Sequence, residues 1–193
     1  MKTAKRESAG DVRPGQDIVI AGYAGLKGSQ MIVREQERQL RSRFSEGYLR
    51  QIGEGHDQVL GQAVSIFKKL GAIRWEEAGE GGIHTALWNL SGSFGLGFKI
   101  DLYRIPVKQE TIEICEFYDM DPYDLYCENC FVLVADNGGH MEAGLRQEGI
   151  PAAWIGTVTE GVAREVFYGK VHRYMDRPRE DPLYKIIERK MLE

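Results

Sequence analysis

The number and positions of the glycines constrain the fold of this sequence more than any other feature. Of the 193 residues, 23 are glycine, against about 7% in an average protein. The glycines stand between segments of regular hydrophobic period, so each marks a turn or a helix boundary. Apolar runs and alternation predict strands at 16–22, 72–76, 96–102, 130–135, 152–158 and 163–168. Helical spacing predicts helices from about residue 29, with a break and a new cap near residue 45, and at 58–70, 81–90, 111–118, 141–147 and 181–190.

Strands and helices alternate through the chain. This order is typical of an α/β or α+β layered fold in which helices cover a mixed sheet. A chain of 193 residues suits one domain, and the sequence shows no internal repeat or dividing linker. We therefore predict a disordered N-terminal segment at residues 1–10 and a single domain at residues 11–193.

The charge balance and the cysteine count narrow the classes of function. Lysine and arginine number 25 against 29 aspartate and glutamate residues, which argues against nucleic-acid binding through a basic stripe. No apolar run approaches the roughly 20 residues that span a bilayer, and no apolar segment follows the basic N-terminus as in a secretory signal. Three cysteines, an odd number, point to a reducing compartment. We expect a cytoplasmic protein that binds neither nucleic acid nor membrane.

The first candidate site is the glycine-rich turn at residues 22–28. It lies between a predicted strand and a predicted helix, where backbone N–H groups at a helix N-terminus bind anions. Its G-x-x-G-x-x-G spacing fits neither the dinucleotide fingerprint nor the phosphate loop, and Lys27 precedes the last glycine, Gly28, instead of following it. Both a phosphate-binding turn and an ordinary tight turn remain open.

The second candidate site is the acidic, glycine-rich segment at residues 76–84. Gly81 and Gly82 free the backbone at a helix start for close approach to a ligand. The three carboxylates of Glu76, Glu77 and Glu80 repel a bare phosphate but suit a Mg²⁺-bound one. Alternatively, Glu80 complements the helix N-terminus and the glycines permit tight packing. His84 lies beside this turn and is the one histidine included among the candidates.

A C-x-x-C pair at Cys127 and Cys130 is the third feature. Structural zinc needs four ligands, and no second pair with ligand spacing is present. Metal binding, redox chemistry and buried thiols are all open, but Cys130 begins an apolar strand and is expected in the core. No residue is therefore assigned as a metal ligand from the sequence.

Four segments in register resemble one enzyme superfamily: residues 18–28, 80–88, 105–112 and 149–161. They are similar to the C-terminal domain shared by aminoimidazole ribonucleotide synthetase, selenophosphate synthetase, thiamine-phosphate kinase and the hydrogenase-maturation dehydratase, and most similar to a synthetase-related, hydrogenase-maturation-like branch. The resemblance extends over residues 10–185. It implies a three-layer α/β/α domain with a mixed sheet, partly ferredoxin-like.

The resemblance also implies a functional setting. Relatives use ATP in a cleft between two halves, and acidic residues of the N-terminal half hold most of the nucleotide's Mg²⁺ and phosphates. This chain matches the second half, so ATP and Mg²⁺ are implied only together with a partner half. Where the family has Asp-x-Thr-x-Gly-Gly, this chain has Glu77, Gly79, Gly81 and Gly82, and the C-terminal cysteine of the hydrogenase-maturation members is absent.

We therefore expect a domain that contributes the phosphate- or substrate-facing wall of a composite site and is not a complete ATP-dependent enzyme by itself. Lys27, Gly28, Glu77, Glu80, Gly81, Gly82 and His84 would line that wall, facing a small phosphorylated ligand. A non-catalytic module that forms a homodimer or binds a separate N-terminal ATP-binding half is an alternative. A third alternative is a small-molecule binding protein that uses the cleft in which the relatives use ATP.

Overall fold

An eight-stranded mixed sheet forms the centre of the molecule in the computed structural model, which describes residues 6–8, 10–54 and 63–187. The strands are β1 (Arg6–Ser8), β2 (Asp17–Ala21), β3 (Ala72–Glu77), β4 (Gly97–Asp101), β5 (Phe131–Ala135), β6 (Ala152–Thr159), β7 (Arg164–Tyr168) and β8 (Val171–Tyr174). Their order across the sheet is β1-β3-β5-β2-β6-β4-β7-β8. Strands β4 and β7 pair in parallel, and the other neighbouring described strands pair antiparallel.

Four central strands give the sheet its ferredoxin-like part. In chain order these are β2, β3, β5 and β6, and in space they run β6-β2-β5-β3. Numbered one to four along the chain, they have the antiparallel order 4-1-3-2, in which a helix follows the first strand and another precedes the fourth. The mixed sheet and the partly ferredoxin-like order agree with the fold class predicted from the sequence.

Helices cover both faces of the sheet because each face is apolar. The helices are α1 (Leu26–Leu40), α2 (Glu46–Gly53), α3 (Ala63–Lys69), α4 (Gly82–Phe94), α5 (Gln109–Phe117) and α6 (Gly138–Gln147). One core cluster joins Leu87 of α4 to Ile20 and Val132 of the sheet. The cluster on the other face joins Phe67 of α3 and Met141 of α6 to the sheet. These are the three layers.

A third apolar cluster ties helices α1, α2 and α5 to the C-terminal segment. Ile32 and Ile114 are fully buried in it, beside Leu183 of a short 3₁₀ turn, Pro182–Lys185. The C-terminal segment is thereby fixed against helices that come much earlier in the chain. Among the described residues, no helix is long and apolar enough to cross a membrane.

Several predicted boundaries differ from the structure. Helix α1 begins three residues before the predicted start because Gly25, at φ 66°, is its N-terminal cap. Residues 6–8, predicted as disordered, pair antiparallel with β3. The closing helix predicted at 181–190 begins as a 3₁₀ turn, and its last residues, like the first part of the helix predicted at 58–70, lie outside the described residues. The predicted cap at Ser45 is confirmed, since its side chain accepts the Tyr48 N–H.

Candidate functional site

The segment 118–130, called here the 118–130 loop, lies over the N-terminal ends of both α1 and α4. It joins α5 to β5 and contains two non-glycine residues with left-handed backbone, Asp119 at φ 52° and Asn129 at φ 56°. Such conformations are uncommon outside glycine and occur most readily at Asn and Asp. Asp119 and Asn129 are therefore residue types that tolerate the left-handed backbone at these two positions. The 118–130 loop is the common neighbour of both glycine-rich turns.

At the start of α1, the glycines bring the 118–130 loop into direct contact with the helix. The Gly28 N–H donates to the Tyr126 carbonyl at 3.0 Å, and the Gly25 N–H donates to Cys127 Sγ at 3.1 Å. A Cβ on Gly28 would lie 2.5 Å from the Leu125 side chain. Lys27 Nζ pairs with the Glu128 carboxylate at 3.0 Å. The tight-turn interpretation accounts for these contacts, since these donors face protein atoms.

At the start of α4, the same loop takes the place that a ligand was expected to occupy. Gly82 has φ 60°, and a Cβ there would lie 2.3 Å from the Tyr123 carbonyl oxygen. The His84 N–H donates to that oxygen at 3.2 Å. The Gly81 N–H donates to the Asp181 carboxylate at 2.8 Å. Gly81 and Gly82 thus permit close approach, as predicted, but the approaching groups belong to the chain itself.

Asp181 is an internal anion at the α4 N-terminus. Its carboxylate also accepts the Leu183 N–H at 2.9 Å, and the side chain is buried. Burial raises the pKa of Asp181 to about 6, although the hydrogen bonds from the backbone of Gly81, Leu183 and Tyr126 lower it and the nearby Glu80 adds to the rise. Desolvation therefore outweighs the capping bonds. No local pattern in the sequence indicates this contact, which spans 100 residues.

The predicted carboxylates have separate surroundings. Glu77 accepts the Asn129 N–H at 3.1 Å and so holds the end of the 118–130 loop. Glu76 precedes Glu77 in β3, and consecutive strand residues point to opposite faces. These two carboxylates therefore do not converge on one ligand. Glu80 lies close enough to Asp181 to influence its pKa.

His84 is joined by two aspartates that were not among the residues predicted for the site. His84 Nδ1 lies 2.7 Å from Asp124 Oδ1, and Asp121 Oδ1 accepts the Tyr123 N–H at 2.9 Å. The His84 ring packs against the Tyr123 ring at a centroid distance of 5.6 Å. A sequence signal was present, because Asp119, Asp121 and Asp124 alternate with aromatic and apolar residues in a segment without helical or strand period.

The three cysteines are buried and reduced. Burial raises the pKa of the Cys115 thiol to about 12. A hydrogen bond with Cys127, together with complete burial, raises the pKa of Cys130 well above its ordinary value. Because the thiolate is the reactive form, raised pKa values make the Cys115 and Cys130 thiols unreactive. Both thiols lie in the core, as predicted for Cys130. Cys127 connects the 118–130 loop to the α1 turn by accepting the Gly25 N–H.

Solved structures provide the comparison with known proteins. No family profile matches the sequence, and no curated protein does. E. coli HypE, a hydrogenase maturation protein, matches with a TM-score of 0.74 at 22% identity, over 91% of this chain and 54% of that one. A HypE structure in complex with ATP matches with a TM-score of 0.72 at 21% identity, over the same shares of both chains. AaThiL complexed with AMPPCP and TMP matches with a TM-score of 0.56 at 17% identity, over 86% of this chain and 52% of that one.

These matches bear on the resemblance found in the sequence. The chain spans about half the length of the HypE and ThiL structures that it matches. The matched proteins belong to the superfamily that the four sequence segments indicated. At these identities the likeness establishes the architecture. The chain has the fold of the aminoimidazole ribonucleotide synthetase, selenophosphate synthetase and hydrogenase-maturation superfamily.

Proposed function

We propose that this chain acts as the C-terminal-type half of an ATP-using enzyme of this superfamily. It would contribute the phosphate- or substrate-facing wall of a composite site. The observation that carries the proposal is the match over 91% of this chain but only 54% of HypE. HypE is solved with ATP and ThiL with AMPPCP and TMP, which supports a nucleotide as the ligand. ATP and Mg²⁺ would then bind in a reducing, cytoplasmic setting, together with a separate ATP-binding half.

The wall proposed here is the surface formed by the α4 N-terminus and the 118–130 loop. Gly28, Gly81 and Gly82 serve it by letting the loop approach, because their N–H groups donate within the protein. Side chains are then the groups available to a phosphorylated ligand. Lys27, partly exposed and paired with Glu128, would meet the phosphate, and Glu80 and His84 would face the Mg²⁺-phosphate.

A titration of the isotopically labelled chain with Mg-ATP, followed by amide NMR, tests this wall. As half of a composite site, the chain alone should bind with a dissociation constant on the order of 1 mM. We expect shifts confined to the first turns of α1 and α4 and to the 118–130 loop. Lys27→Gln should weaken Mg-ATP binding several-fold. Lys99→Gln is the control and should leave binding unchanged, because it breaks a different lysine–glutamate pair, that of Lys99 on β4. Shifts elsewhere, or none with Mg-ATP at millimolar concentration, would contradict the proposal.

A homodimer is the second candidate, and one observation favours it. Strand β8 ends the described sheet, and each of its residues is exposed. Val171 is 60% and Tyr174 63% exposed, and Tyr103 nearby is 71% exposed. An edge strand of this kind offers unpaired backbone groups and apolar side chains to another strand. Antiparallel pairing of two β8 strands, one from each subunit, would cover the backbone groups and the apolar side chains.

Sedimentation analysis of the unaltered chain, a β8 double variant and a control variant tests whether β8 forms a dimer interface. The unaltered chain should sediment as a dimer at tens of micromolar, and the double variant Val171→Glu, Tyr174→Glu as a monomer, because buried unpaired carboxylates oppose association. Val162→Glu is the matched control, since Val162 is 69% exposed but lies in the turn between β6 and β7. A monomer at every concentration, or a dimer that survives the double change, rules out β8 as the interface.

A further inference from the structure

We propose that His84, Asp121 and Asp124 bind a single divalent transition-metal ion. The imidazole comes from the first turn of α4, and both carboxylates come from the 118–130 loop. One ligand atom from each residue lies within 4.8 Å of the other two. The inference goes beyond the proposed nucleotide wall and does not depend on it.

The distances are close to those that a bound ion requires. Zinc bonds to nitrogen and oxygen are about 2.0–2.2 Å long, so tetrahedral ligand atoms lie roughly 3.4 Å apart. Nδ1 of His84 and Oδ1 of Asp124 are already 2.7 Å apart, and the largest separation in the group is at most 4.8 Å. Small side-chain rotations therefore bring all three ligand atoms onto one ion.

The backbone holds the three residues in place before any ion arrives. The His84 N–H is fixed to the Tyr123 carbonyl, and the Asp124 N–H to the Asp121 carbonyl at 3.1 Å. Gly82 allows this approach because it has no Cβ to meet the loop. His84 is largely covered, its side chain being 13% exposed. Few degrees of freedom remain to be lost on binding, which favours a preorganised site.

The charge around the site also favours a cation. Within the part of the chain that the structure describes, His84 is the only basic side chain within ion-pair distance of Asp121 or Asp124. A divalent ion would neutralise the two carboxylates and, among the described side chains, would take the place of the His84–Asp124 hydrogen bond.

The donor set indicates which ions fit. One imidazole and two carboxylates suit Zn²⁺, Mn²⁺ or Co²⁺, whereas Mg²⁺ prefers oxygen ligands and keeps its waters. Three protein ligands leave coordination positions open, as in sites where a metal holds water or an oxygen of a substrate. His84, Asp121 and Asp124 are each partly exposed, so water or another small ligand could complete the coordination.

Calorimetric titration of the full chain with ZnCl₂, after chelator treatment and with thiols kept reduced, tests the site. We expect one equivalent to bind. Asp121→Asn and Asp124→Asn each keep a side-chain oxygen for their hydrogen bonds, so the fold should survive, as circular dichroism would verify. Each should weaken binding by more than the roughly 10- to 100-fold that loss of an outer-shell partner costs.

Two controls distinguish zinc at His84, Asp121 and Asp124 from zinc bound elsewhere on the chain. His172 also pairs with a carboxylate, Glu165, at 3.0 Å, but the described residues place no third ligand beside that pair, so His172→Gln should leave Zn²⁺ affinity unchanged. Co²⁺ loading should give visible bands of nitrogen and oxygen ligation without thiolate charge transfer, since the cysteines are buried. Absence of binding, thiolate bands, or equal affinity in the aspartate variants would overturn the site and leave His84–Asp124 as a simple hydrogen-bonded pair.

Discussion

Gly82→Ala is expected to destabilise the protein by about 3 kcal/mol or more. A left-handed backbone costs a non-glycine residue roughly 1–2 kcal/mol, and overpacking adds about 1–3 kcal/mol. Gly82 incurs both penalties, because its φ is 60° and its added Cβ would lie 2.3 Å from the Tyr123 oxygen and 2.8 Å from the Leu125 oxygen. Both contacts are to backbone, which cannot rotate away as a side chain does.

The matched control for Gly82→Ala lies in the same turn. An added Cβ on Gly79 meets nothing within 4 Å, and Gly79 is not among the positive-φ glycines, so Gly79→Ala should change stability little. Urea unfolding of both variants at one pH measures the difference. Equal midpoints would show that the 118–130 loop does not press against α4. Gly82 is for this reason unsuited to testing ligand binding, since its substitution disturbs the fold.

Asp181 is expected to make the protein less stable as pH rises from about 4 to 6. Its pKa is about 6 when folded, against 3.8 as the ordinary value, so the unfolded chain loses the proton first. The contribution is complete below the unfolded pKa and is lost as pH rises through the folded one. Two pKa units correspond to on the order of 3 kcal/mol. Asp181→Asn should abolish this component.

Unfolding free energies at pH 4.5 and pH 7.5 in three proteins measure the contribution of Asp181. The difference between the two pH values should change by about 2 kcal/mol in Asp181→Asn relative to the unaltered chain, because pH 4.5 already lies above the unfolded pKa. Asp176→Asn is the control, because Asp176 is exposed in the same C-terminal segment and should not alter the difference. If the free energy of unfolding of Asp181→Asn changes with pH as that of the unaltered chain does, burial does not raise the pKa of Asp181 and the prediction is wrong.

The strands and the helix starts were predictable because their signals are local. The apolar run before Ala135 and the alternation around Ile100 each lie within a few residues, and glycines mark where these segments end. Strand β8 was missed because all four of its residues are exposed and it has no apolar face. The side-chain contacts of β8 with β7, such as His172 with Glu165 and with the Phe167 ring, involve polar and aromatic groups and leave no hydrophobic period in the sequence.

The candidate site was predictable only in part, for a related reason. Gly28, Gly81 and Gly82 were recognised as points of close approach, but the sequence did not say what approaches them. The 118–130 loop has no period, and the Asp181–Gly81 bond joins residues 100 positions apart. Side-chain partners of this kind follow from tertiary packing, so the sequence located the helix starts without revealing their occupants.

The contact between Asp181 and Gly81 has a consequence for synthesis of the chain. Translation proceeds from the N-terminus at about 5–20 residues per second, so the backbone of α4 is made several seconds before its internal anion. During that interval the Gly81 N–H lacks its carboxylate acceptor, and the apolar cluster of α1, α2 and α5 lacks Leu183. Final consolidation of this region therefore waits until the C-terminal segment has left the ribosome.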